Sequence, residues 1–401
     1  LLKVAVVILV YLALGPQALA NDGWQQVDAS APFVDRNGVA RFPSCSGAPE
    51  PPSFATPSPT EFSFFYRTGN PRKLLIAFDG GGACWDSLTC LGSVVAGDPV
   101  YDPVIDETPA NLDAAGGLGD RGNPDNPVTD YFQVFIPYCT GDLHTGSRDT
   151  EYALPGLEKR TIHHRGYDNV VAVLEWLADY YTQVVGQPPG EVLVTGASAG
   201  GYGALFAYPA IDELLPWWTR KRAFSDSANG IINQDFFDRA LTPEGVWGVW
   251  DNMPAQLANA FASGPDTLSI ALNQSLAWSY PRTRFGQYTR AFDAVQIFYL
   301  NIAKNLNSPE LWADPTQLLV TALEWSVKAR ASMLISALTS FNYRFYLGSG
   351  FAHTAIADNS LYMEESAQDI RLIDWLDDMI NRRFPFGSDW RNVACLSNCL
   401  P

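Results

Sequence analysis

One serine stands at the centre of Gly196-Ala-Ser198-Ala-Gly200, with small residues on both sides. The run Glu191-Val-Leu-Val-Thr195 precedes it and Gly201-Tyr-Gly-Ala-Leu-Phe-Ala207 follows, a pattern that predicts a strand, a sharp turn and a helix. A serine at such an apex projects its hydroxyl from the carboxyl end of a buried strand toward the start of a helix. There it can attack an acyl carbon. The pattern is the nucleophile elbow of an α/β-hydrolase.

A serine hydroxyl is a weak nucleophile at neutral pH, so it needs a base to take its proton and a carboxylate to orient that base. In this fold the chain order is Ser, then Asp or Glu, then His. Of the four histidines, His144, His163 and His164 precede Ser198, and only His353 follows it. His353 closes the loop Gly348-Ser-Gly-Phe-Ala-His353 after a predicted strand Arg344-Phe-Tyr-Leu347, and is the expected base. His163 and His164 read as capping or surface residues. His144 lies in a loop leaving a strand end, where open α/β sheets bind ligands, and is either a candidate substrate contact or a structural residue. The residues alone leave the acid open: Asp226 ends the predicted strand Ala223-Phe-Ser225, whereas Asp293 sits in the helical-looking Ala291-Phe-Asp-Ala-Val-Gln-Ile297.

Negative charge develops on the acyl oxygen during attack, and backbone N–H groups can stabilise it by roughly 3 kcal/mol per donor. One expected donor is the N–H of Ala199, and others come from the loop Gly80-Gly81-Gly82 after the predicted strand Lys73-Leu-Leu-Ile-Ala-Phe78. A phosphate cradle is the competing use of such glycines, but neither G-x-x-x-x-G-K-[ST] nor G-x-G-x-x-G occurs there.

The elements needed to hold these groups follow in order. Gln133-Val-Phe-Ile-Pro-Tyr138 is a further predicted strand, and apolar residues at helical spacing from Tyr167 to Val184 predict an amphipathic helix. Strands alternating with helices imply a mostly parallel central sheet flanked by helices. Residues 21–401 are expected to form a single α/β-hydrolase domain. Within it, 21–70, rich in Pro, Ser and Gly, reads as an extended arm, and 231–340 reads as a largely helical insertion over the active site. A helix is expected over 367–383.

A chain of 401 residues with 47% hydrophobic content can bury a large core. Lys3, the apolar run Val4 to Leu14 and the Ala18/Ala20 pair read as a secretory signal peptide over residues 1–20, cut after Ala20, for a secreted or periplasmic protein. The run is too short to span a bilayer, and no later stretch is long enough. Export permits disulfides among the six cysteines. Proximity suggests Cys84 with Cys90 and Cys395 with Cys399, which leaves Cys45 for Cys139. No C-x-x-C pair or metalloprotease histidine spacing occurs, so no structural metal is expected. A formal charge of −17 argues against nucleic acid as a partner.

Several of these segments together resemble the pectinacetylesterase family, including its Notum-type carboxylesterases. They are Phe78-Asp-Gly-Gly-Gly-Ala-Cys84 with Cys90, Tyr138-Cys139, Arg165-Gly-Tyr-Asp-Asn169, the elbow, Ala291-Phe-Asp-Ala-Val-Gln-Ile297 and Phe351-Ala-His353. The resemblance implies a secreted carboxylic ester hydrolase without a cofactor. It implies a triad of Ser198, Asp293 and His353, an oxyanion hole at Gly81, Gly82 and Ala199, and a Cys84–Cys90 disulfide. Where the family carries a bulky aromatic before its cysteine, this chain has Ala83 and places Trp85 after Cys84, making Trp85 a second candidate substrate contact. Plant members have cysteine where Ala197 and Gly350 stand here.

The leading expectation is removal of an acetyl group from an acylated carbohydrate such as pectin, through an acyl-enzyme. The alternatives are a lipid-type carboxylesterase, with Trp247, Trp250, Phe261 and Trp278 as an apolar lid, and a non-catalytic binding protein on the same scaffold.

Overall fold

A computed structural model describes residues 23–49, 56–382, 388–395 and 399. The expected signal peptide and its cleavage point lie outside the described residues. Among the described residues nine strands form one sheet. In chain order they are β1 (Gln25–Asp28), β2 (Ser63–Arg67), β3 (Asn70–Phe78), β4 (Tyr131–Ile136), β5 (Glu191–Ala197), β6 (Arg220–Asp226), β7 (Arg284–Arg290), β8 (Tyr343–Gly348) and β9 (Val393–Ala394). Across the sheet they run β1-β2-β4-β3-β5-β6-β7-β8-β9. From β4 to β9 every pairing is parallel, and only β1 and β2 join antiparallel.

The side-chain period of two puts neighbouring residues on opposite faces, and both faces are covered. Leu74, Ile76, Val192 and Val194 pack on one side with the helices α1 (Gly166–Tyr180) and α2 (Ala199–Leu214). Leu75, Leu193, Phe224 and Tyr346 pack on the other with α3 (Leu372–Asn381), through Ile373, Trp375 and Leu376. Hence β3 and β5 carry the continuous apolar runs Leu74–Phe78 and Val192–Val194 rather than alternating ones. No helix among the described residues is long and apolar enough to cross a membrane.

Three expectations change. The arm over 21–70 is not wholly extended cover, because β1 and β2 lie in it and extend the sheet. The segment 231–340 is not an uninterrupted helical insertion: β7 runs through it and pairs with β6 and β8. Its helices fall on both sides of that strand, α4 (Ala255–Phe261) and α5 (Leu268–Ser279) before it, α6 (Ala294–Lys304) and α7 (Pro315–Thr339) after it. The terminal helix is shorter than expected, since residues 366–371 form a small strand pair ahead of α3.

The cysteines pair as Cys45–Cys139, Cys84–Cys90 and Cys395–Cys399. Cys45–Cys139 closes a separation of 94 residues, and in the chain-entropy account such a link is worth about 4 to 5 kcal/mol. It ties the N-terminal segment to the loop after β4.

Candidate active site

The parallel strands end at one edge, where Phe78 pairs with Gly196, Ala197 with Asp226, and Arg290 with Gly348. The loops leaving that edge carry the glycine run, Ser198, Asp293 and His353. Ser198 has φ 55° and ψ −123°, a conformation that costs a non-glycine residue about 1–3 kcal/mol and persists only where surroundings enforce it. Its neighbours must be small. A Cβ on Gly196 would lie 2.2 Å from the carbonyl oxygen of Gly200, and one on Gly200 would lie 2.1 Å from that of Phe78. The Ser198 N–H donates to the Asp226 carbonyl at 2.8 Å, fixing the turn against β6.

The loop after β3 is equally constrained. Gly81 and Gly82 have φ 139° and 74°, and a Cβ on Gly82 would meet the Tyr299 hydroxyl at 2.1 Å and the Val100 carbonyl at 2.2 Å. Tyr299 donates to that same carbonyl. Asp79, which opens the loop, is enclosed, and burial together with nearby Glu107 raises its carboxyl well above the usual range.

His353 Nδ1 meets the Asp293 carboxylate at 2.8 and 2.9 Å. Asp293 is fully buried and caps α6: its Oδ1 accepts from the N–H groups of Val295 and Gln296, and its Oδ2 from Gln296 Nε2 at 2.9 Å. Gln296 is itself held, accepting from Asn229 N at 2.8 Å and donating to Thr289 Oγ1 at 3.1 Å. The acid is therefore fixed from four sides. Nε2 of His353 is buried and has no hydrogen-bond partner among the described residues.

Asp226 is directed elsewhere. Its Oδ2 accepts from Ala355 N at 2.6 Å and Ile356 N at 2.8 Å, and its Oδ1 from Ser227 Oγ at 2.9 Å. Ser227 Oγ in turn accepts from Thr354 N at 3.0 Å. Burial pushes the Asp226 carboxyl up to about 6, against the pull of these donors. The structure thus brings Asp293, not Asp226, onto the imidazole, while Asp226 grips the backbone just beyond it.

Ser198, Ala199, Gly82 and His353 line one cavity of about 130 Å³. Its remaining wall is largely apolar, with Trp85, Phe206, Ile232, Phe261, Leu300 and Trp325 among the contributors. Gly81 is not among the lining residues, although its neighbour Gly82 is. Trp85 stands in the wall, edge-on to Phe236 with ring centroids 4.8 Å apart. Its Nε1 and Asn229 Nδ2 are buried without partners among the described residues.

His144 does not reach the cavity. It is buried, its Nε2 donates to the Asp79 carbonyl at 2.9 Å, and it packs on Phe78 and Tyr138, so it supports the glycine loop from behind. His164 is no surface residue either: fully buried in the strand Arg160–His164, it bonds Thr140 O and Tyr152 OH. His163 is half-buried beside Asp149. Of the four aromatics expected as a lid, only Phe261 lines the cavity. Trp247 is buried with its indole on the Cys84 carbonyl, Trp250 donates to Leu241 O, and Trp278 is 61% exposed on the outer surface.

One cluster of metal-type ligands occurs among the described residues, Cys84, Cys90 and His164. The two sulfurs are bonded to each other and both ring nitrogens of His164 are engaged, so the group is built as packing. Sequence reasoning missed Gln296 and Asn229. The Asp293-x-x-Gln296 spacing, a capping-box pattern, was the available signal for the first.

A family model described as Pectinacetylesterase matches residues 59–373. The chain is 27% identical over 206 residues to the palmitoleoyl-protein carboxylesterase NOTUM of Schmidtea mediterranea, and 23% identical over 216 residues to that of Drosophila melanogaster. Each match takes in 50% of this chain but only 34% and 31% of the relative, so the chain spans about a third of the curated relatives it matches. Among solved structures, the Wnt deacylase Notum from Drosophila superposes with a TM-score of 0.57 at 17% identity, over 89% of this chain and 92% of that one. This likeness shows the fold, an α/β-hydrolase.

Proposed function

The chain belongs to the pectinacetylesterase family; from that premise we infer that it is a carboxylic ester hydrolase and that it cleaves esters of an apolar acyl group longer than acetyl. The observation that carries this reading is the apolar wall of the cavity that starts at Ser198. An acetyl group needs room for one methyl. Each further methylene buried against such a wall is worth about 0.8 kcal/mol, close to fourfold in binding. The names of the relatives, palmitoleoyl-protein carboxylesterases, point the same way.

In this mechanism Ser198 Oγ forms a bond to the acyl carbon as its proton passes to His353 Nε2. Asp293 holds the resulting imidazolium, and the N–H groups of Gly82 and Ala199, with Gly81 beside them, take the charge on the acyl oxygen. The alcohol leaves with the proton from His353, and water, deprotonated by the same histidine, releases the acid from Ser198. The three disulfides support work outside the cytosol.

The test is a chain-length series of nitrophenyl esters with Ser198→Ala as the blank. An octanoyl ester is expected to exceed the acetyl ester in kcat/KM by at least about tenfold. A maximum at acetyl, together with acetate release from pectin, favours the second reading, deacetylation of a carbohydrate, which the family description supports. Absence of any Ser198-dependent hydrolysis would leave the scaffold a binding protein.

A further inference from the structure

The helix α7 (Pro315–Thr339) is built with its polarity reversed. The face it turns to the protein carries Thr321, Ser326, Ser332 and Ser336 beside Trp325 and Met333. That face is satisfied by polar contacts, with Thr321 Oγ1 on Asn301 Oδ1 at 3.1 Å and Ser336 Oγ receiving Asn273 Nδ2 at 3.3 Å. The outward face holds the large aliphatics. Leu319 is 64% exposed, Leu323 58%, Val327 68%, Leu334 52% and Leu338 76%. At 100° per residue these positions share one stripe along a helix of 25 residues, roughly 37 Å long. Phe341 and Trp278, 70% and 61% exposed, extend it at the carboxyl end, where the Trp278 indole donates to Thr339 O.

Together these side chains leave on the order of 1,000 Å² of mostly apolar surface open, against roughly 300–600 Å² for the largest patch of an ordinary monomer. One partner in a standard protein interface buries roughly 800 Å². The stripe is also self-complementary. Reversed about Ala329, Val320 falls opposite Leu338, Leu323 opposite Ile335, and Val327 opposite the small Ala331, while Leu334 falls opposite Glu324 and Leu319 opposite Thr339, so two antiparallel copies would set three apolar pairs along each half of the helix with room at the centre. Glu324, held by Lys304 and Lys328, borders the stripe as a polar rim does, whereas Arg330 lies within it and donates to Ser326 Oγ at 3.3 Å. A lipid surface fits less well. Helices that lie on membranes carry many Lys and Arg along their flanks, whereas α7 has Lys328 and Arg330 against Glu324 in a chain of charge −17.

We propose that the outward face of α7 is a homodimer interface, formed by two antiparallel copies of the helix around a two-fold axis on that face, level with the inward-facing Ala329. The interface lies behind the cavity wall, because Trp325 on the opposite side of the same helix lines the cavity. It does not depend on which ester the enzyme cleaves.

Sedimentation velocity at micromolar concentration tests this. The expected species is twice the 44.0 kDa chain, and Leu323→Asp with Leu338→Asp should weaken association by at least about a hundredfold while hydrolysis of a short soluble ester persists. Val327→Lys is the milder variant should the pair not fold, and Val184→Asp, at an exposed apolar site elsewhere, should leave the dimer intact. A monomer at these concentrations overturns the proposal, as does a dimer that survives all α7 substitutions. Co-flotation of a monomeric wild type with phosphatidylcholine vesicles, lost in the α7 variants, would assign the face to lipid instead.

Discussion

At the level of single residues, two aspartates stand near one histidine, and their hydrogen bonds separate their roles. Asp293 meets Nδ1 of His353 directly, so Asp293→Asn would turn an amide toward that nitrogen and favour the wrong tautomer. The expected loss in kcat is about 10⁴-fold, as for the equivalent change in a serine protease triad. Asp226 makes no hydrogen bond to the imidazole among the described residues: its carboxylate holds the backbone of Ala355 and Ile356, and Thr354 through Ser227, while its carbonyl accepts the Ser198 N–H. Asp226→Asn keeps one carbonyl oxygen for the two amides, and its expected loss is nearer tenfold, the scale of about 1.4 kcal/mol. Steady-state kinetics on one soluble ester compares the two. A larger fall for Asp226→Asn would reverse the assignment of the acid. Ser198→Ala should lower kcat by about 10⁶-fold, leaving only the residual rate that the oxyanion hole and binding supply, and an organophosphonate probe should then label nothing.

The elements that carry these residues differ in how openly their sequences announce them. The elbow was legible because β5 is an unbroken apolar strand and the glycines around Ser198 have steric reasons to be there. β7 was not, because Arg284-Phe-Gly-Gln-Tyr-Thr-Arg290 carries polar side chains into a buried position. Gln287 is satisfied there by the Ala228 carbonyl and Thr289 by Gln296, contacts that only the fold brings together. With β7 hidden, Asp293 looked like a residue within a helix, whereas it is the cap that follows a strand. β1 and β2 were obscured by the Pro- and Ser-rich stretch around them, and the role of His144 stayed open between substrate contact and support because a loop position gives no indication of burial. The glycine loop yields a prediction at this scale. Gly82→Ala puts a methyl group into Tyr299 and Val100 at a positive φ, so the loop must move. We expect kcat to fall by roughly 10² to 10³ with KM little changed, as when an oxyanion donor is lost. A thermal melt within a few degrees of the parent would tie the loss to the loop rather than to unfolding.

Across the whole molecule, four fully buried groups away from the triad pair set opposing pH dependences against each other. Burial lowers His144 and His164 from 6.5 to about 4, and raises Asp142 and Asp226 from 3.8 to about 6. A histidine depressed in the folded state contributes stability above its unfolded pKa that is lost as pH falls from 6.5 through 4. A carboxyl raised in the folded state does the reverse, contributing stability below its unfolded pKa that is lost as pH rises from 3.8 through 6. Between about pH 4 and 6 the unfolded chain therefore binds two protons on these histidines while the folded chain binds two on these aspartates. Their slopes cancel, so these four groups leave stability nearly flat in a window where a lone buried histidine would make acid destabilising. Removing one member uncovers the balance. His164→Asn keeps a donor for the Thr140 carbonyl but no longer titrates, so its stability relative to the parent should rise on acidification by about 1.4 kcal/mol per pH unit, about 3 kcal/mol in all from pH 6.5 to 4. The lost Tyr152 contact and changed packing shift the whole curve without changing its slope. Urea unfolding of both proteins at several pH values across this window measures the difference, and parallel curves would show that His164 is not the buried neutral group its surroundings require.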